Sequence, residues 1–100
     1  MGKQDKSKFF KITTSEDANY EVCFKKCPLK ESAEGLCDNP QEFEYPKILI
    51  DPNLLPKRKM AVNIEELYHA ENFEHTEKKA RKFAANLTKI LYGIGFRLKN

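Results

Sequence analysis

The last 45 or so residues carry two helical apolar patterns separated by a polar break, and a chain of 100 residues then has room for little more than a small sheet to pack them on. Pro56 suits a first helical turn. Met60, Ile64, Leu67 and Tyr68 follow at i, i+4, i+7 and i+8, one apolar stripe that ends near Ala70. Thr76 is placed to cap a second helix, with Glu77 favourable in its first turn. Ala80, Phe83, Ala84, Leu87, Leu91 and Ile94 share a face of that helix, and Lys78, Arg81, Lys82 and Lys89 lie mostly away from it. Gly93 and Gly95 stop it.

The first half reads as strands and loop. Residues 9–14 are β-prone, and residues 15–19 are turn material. Residues 20–25 alternate apolar and polar, as a half-buried strand does, up to a stop at Pro28. Residues 29–45 read as a long loop with Gly35 and Asp38-Asn39-Pro40. Lys47–Ile50 reads as a strand buried on both faces, ended by Asp51-Pro52-Asn53. The expectation is an α+β domain over residues 8–100, a small β-sheet packed by two helices, behind a loose polar tail over residues 1–7.

Charge and cysteine content narrow the partners. A net charge of +3 permits a nucleic-acid partner without arguing for one. Lys57-Arg58-Lys59 and Lys78-Lys79-x-Arg81-Lys82 can offer a phosphate-binding surface, though such runs are mostly solvated helix faces and 15 acidic residues dilute them. No glycine-rich phosphate loop is present, and no apolar run is long enough to span a membrane. Lys6 breaks a myristoylation pattern at Gly2. No charged-then-apolar leader opens the chain, and three cysteines are too few for a disulfide scaffold, so a reducing, cytoplasmic setting is expected. Cys23, Cys27 and Cys37 have atypical zinc spacing and lack a clear fourth ligand.

Glu65-Glu66-Leu67-Tyr68-His69 is the most informative stretch. Glu65 and His69 lie one turn apart on one face, from which a carboxylate and an imidazole can reach the same metal ion, with Glu66 on the flank. That face is expected to point away from the apolar stripe. Glu77 falls ~60° from Ala80 on the second helix, at the margin of its apolar side, where it can lean toward the first helix. His75, in the turn, is a further candidate ligand. Without other context such a face is most often a solvated charged surface. Glu66-x-x-His69 also has the spacing of a di-iron carboxylate helix, but that architecture needs a second such motif and four helices.

Several segments together resemble the small bacterial and phage zinc metallopeptidases of the HExxH, minigluzincin or SprT-like kind. The resemblance runs from about Tyr20 to Arg97. Residues 33–38 look like a segment those proteins carry before the buried strand, and residues 48–52 look like their strand and helix entry. Residues 64–70 align without a gap on their HExxH-Ala helix. Residues 80–84, Leu87, Leu91 and residues 94–97 look like their last helix and its ending. The resemblance implies a zincin-type helix pair, a divalent metal, and a peptide or protein substrate. His69 matches the second zinc histidine, Glu66 the general-base glutamate, and Glu77 a third, acidic ligand. Glu65 stands where the first histidine belongs.

That departure has physical consequences. Glu65, His69 and Glu77 together bring two negative charges instead of one, which makes a bound ion a weaker Lewis acid. Harder oxygen donors also move preference from Zn²⁺ toward Mn²⁺ or Fe²⁺. The expectation is therefore a metallopeptidase-like protein with a degenerate EExxH motif, in one version binding a divalent metal and in the other an inactive scaffold serving as an interaction module. The alternative is a small basic module that binds nucleic acid or protein without catalysis.

Overall fold

The computed structural model describes residues 9–26 and 33–98. It contains β1 (Phe9–Thr13), β2 (Asn19–Cys23), β3 (Gly35–Cys37), β4 (Lys47–Ile50), α1 (Pro56–Glu71) and α2 (Glu77–Gly93). The fold is α+β. The expected tail, Cys27 and the stop at Pro28 lie outside the described residues.

The four strands form one mixed sheet in the order β1-β2-β4-β3. β1 and β2 are an antiparallel hairpin, with Phe10 opposite Val22 and Ile12 opposite Tyr20. The Thr14 side-chain oxygen accepts the Ala18 N–H in its turn, and Asp17 takes the left-handed conformation, φ 67°. β4 lies parallel to β2 and antiparallel to β3. This central position explains why Ile48, Leu49 and Ile50 are all buried.

β3 corrects the loop reading of residues 29–45. Its three residues are too few to show alternation. Pairing with β4 makes it a strand, and that contact is invisible to local pattern.

α1 lies against β3 and β4, and α2 packs against α1. α1 therefore has two covered faces, which alters the expected stripe. Val62, Glu66 and Ala70 are buried, at i, i+4 and i+8, and Val62 and Ala70 join the core cluster of Tyr20, Val22, Ile48 and Ile50. Tyr68 turns toward Phe83 of α2, with ring centroids 5.0 Å apart. Leu67 is exposed. On α2, Ala80, Ala84 and Thr88 are the buried residues, and their small size lets the helices approach closely, whereas Phe83 and Ile94 are exposed.

Both ends of α2 follow the expected capping. The Thr76 side chain accepts the Lys79 N–H. Beyond Gly93, Gly95 has φ +104°, and the N–H groups of Gly95 and Phe96 donate to the carbonyls of Tyr92 and Leu91. That pair of bonds is the glycine-terminated Schellman arrangement. No helix among the described residues is long and apolar enough to cross a membrane.

Candidate metal centre

Because α1 is covered by the sheet on one side and by α2 on another, a strip of its surface lies open between them. Glu65 and His69 occupy this strip. It forms the floor of a cleft of about 530 Å³, walled by residues 33–37 on one side and by Glu77 and Arg81 of α2 on the other.

Glu77 leans across from the first turn of α2. One ligand atom from each of Glu65, His69 and Glu77 lies within 4.8 Å of the other two. Two metal–ligand bonds of ~2 Å can bridge separations of ~4 Å, so a modest side-chain adjustment suffices for all three to share one ion. The His69 side chain is 12% exposed and its Nε2 lies 3.3 Å from Glu77 Oε1. Nε2 is nevertheless buried with no hydrogen-bond partner. A buried polar atom without a partner carries a desolvation cost that a bound cation removes. The donor set of two carboxylates and one imidazole suits a borderline-to-hard divalent ion and leaves coordination positions for other ligands.

Glu66 departs from its expected position. It is 7% exposed, on the face that meets the sheet rather than on a polar flank pointing away from apolar residues. β3 passes directly over it. A Cβ at Gly35 would lie 2.8 Å from Glu66 Oε2 and 2.7 Å from Val62 Cγ1, so this crossing requires glycine. Burial, then the negative charges of Glu65 and Glu77, pushes the Glu66 carboxyl up to about 8. Burial followed by Glu77 also raises Glu65. Three acidic side chains thus crowd one half-dry space, an arrangement that a divalent cation would relieve. Cys37 lines the same wall, and burial raises its thiol to about 12.

The other sequence candidates separate. His75 is not part of the triad; its Nδ1 lies 2.7 Å from the Tyr68 hydroxyl. Cys23 and Cys37 are both free, on strands separated by β4. Cys23 sits opposite Leu49 and Cys37 opposite Ile48, so they point to opposite sheet faces and hold no common ion. Several of the cationic residues are occupied. Arg58 Nε donates to Glu34 at 2.8 Å, Arg81 lies 3.9 Å from Glu77, and the Lys57 ammonium sits 5.2 Å from the Tyr92 ring centroid.

Sequence reasoning missed the roles of Gly35, Cys37 and Arg58 in the cleft wall. The local signal is an isolated glycine, Gly35, ahead of Leu36-Cys37 in a segment that reads as loop. Compared with protein-family models, curated proteins and solved structures, the chain matches none of them significantly.

Proposed function

We propose that the protein is a divalent-metal-binding, metallopeptidase-like protein in which Glu65, His69 and Glu77 hold the ion. The observation that carries this reading is the convergence of the three donors within 4.8 Å around a buried imidazole nitrogen that has no other partner. The proposed ion is Mn²⁺ or Fe²⁺ in preference to Zn²⁺, because two of the three donors are carboxylates. When bound, the ion supplies Lewis acidity, tempered by the two negative charges.

The chain's own residues do the rest. Glu66, beside this site and held in a dry setting, exchanges a proton with a water or leaving group in the cleft. The wall above it suits an extended peptide. Among the described residues β3 is one of the two edge strands of the sheet. Glu34 accepts the Asp51 N–H and Asp38 donates to the Lys47 carbonyl, so residues 34, 36 and 38 face β4 and the backbone groups of Gly35 and Cys37 face the open edge. A peptide can add to that edge as a further strand, with one of its carbonyls near the ion.

Metal uptake is the direct test. Chelator-treated protein titrated calorimetrically with Mn²⁺ and with Zn²⁺ should bind about one equivalent, and His69→Ala should abolish binding. Uptake below about a tenth of an equivalent, or uptake unchanged in His69→Ala, contradicts the reading.

A further inference from the structure

His75 remains unused by the triad, yet it stands at a distinctive place. A second hollow of about 430 Å³ adjoins the metal cleft, lined in part by Thr14, Asn39 and Asn72. Phe73 and His75 line both hollows, so they form the ridge between them. The His75 ring is held in a fixed orientation. Its backbone N–H donates to the Asn72 carbonyl at 2.8 Å, and the Tyr68 hydroxyl meets Nδ1 at 2.7 Å. Tyr68 in turn packs on Phe83.

We propose that the two hollows are halves of one extended substrate site and that His75 is the residue that contacts the substrate where it crosses between them. This rests on the metal-binding reading above. In the tautomer this proposal assigns, the Tyr68 hydroxyl donates to Nδ1 and the ring proton sits on Nε2, the nitrogen turned to the substrate. It donates to a carbonyl or developing oxyanion of a chain leaving the ion. Tyr68 is a positioning residue, because it acts only by fixing the tautomer and direction of that donor. The substrate class is an extended peptide, long enough to lie in both hollows at ~3.3 Å per residue.

The test uses Mn²⁺-loaded full chain and two kinds of probe. Acetohydroxamate reaches only the ion; tripeptides bearing a hydroxamate at one end or the other also extend across the cleft. His75→Ala should leave Mn²⁺ affinity and acetohydroxamate binding unchanged, and should weaken at least one tripeptide probe about tenfold, the worth of one hydrogen bond. Tyr68→Phe should weaken the same probe by a smaller factor and shift the His75 ring ¹⁵N resonances in the metal-free protein, a change that lost packing alone does not produce. Equal effects on both kinds of probe, or no effect on either tripeptide, overturn the proposal while leaving the metal site standing. Loss of Mn²⁺ binding in His75→Ala makes His75 a ligand and overturns it as well. Failure of the unmodified protein to bind Mn²⁺ removes both readings.

Discussion

Glu66 is a carboxylic acid placed where an apolar side chain would pack, and its protonation is tied to folding. Its pKa is about 8 in the folded chain against 4.5 for the free side chain. Between those values the folded protein keeps a proton that the unfolded chain releases, so stability falls as pH rises through that window and levels off above it. Glu65 is raised too and adds a slope of the same sign. Metal-free protein should therefore be more stable at pH 5 than at pH 8, by a few kcal/mol at ~1.4 kcal/mol per unit. Glu66→Gln should flatten most of this slope in denaturant titrations across the range. An undiminished slope in that variant would mean that the carboxyl is not buried as described. Little of this was legible in sequence. Glu65, His69 and Glu77 could be grouped from helical spacing and a plausible lean across the turn. The burial of Glu66 depends on β3, which is positioned by residues far away in the chain.

The helices were readable because their signals are local: Pro56 at the start, Thr76 as a cap, Gly95 as a stop. β4 was readable because three successive buried side chains leave no other description. The single stripe assigned to α1 was too simple, since a helix touched by a sheet and by another helix buries residues in two directions, and Val62 and Ala70 belong to the second. β3 and its crossing of α1 were not readable at all. That crossing makes a sharp prediction for the element. Gly35→Ala places a methyl group against Val62 and Glu66, and should cost ~1–3 kcal/mol in equilibrium unfolding, as overpacking does. It should also weaken metal binding by displacing Glu66 and, with it, the neighbouring turn of α1. A neutral substitution would show that β3 and α1 are farther apart than described.

At the scale of the whole molecule, the site spans the seam between the two helices. α2 packs on α1, and the sheet meets α1 on its other side. An ion shared by Glu65, His69 and Glu77 ties the two helices across their open margin. Binding to the folded state alone stabilises it by ~2.7 kcal/mol at a free metal concentration of 100 times Kd. For a domain of 100 residues, at ~4–8 °C per kcal/mol, that is a rise in Tm of ~10–20 °C. Thermal unfolding with and without Mn²⁺ checks it, and an unchanged Tm at saturating metal would show that the ion does not distinguish folded from unfolded chain. The most direct measurement is electron spin-echo modulation of the Mn²⁺-loaded protein. One directly coordinated imidazole nitrogen should be seen and should be retained in His75→Ala, whereas Mn²⁺ added to His69→Ala should stay unbound and show none. A spectrum with no bound nitrogen, or one whose nitrogen persists without His69, contradicts the account.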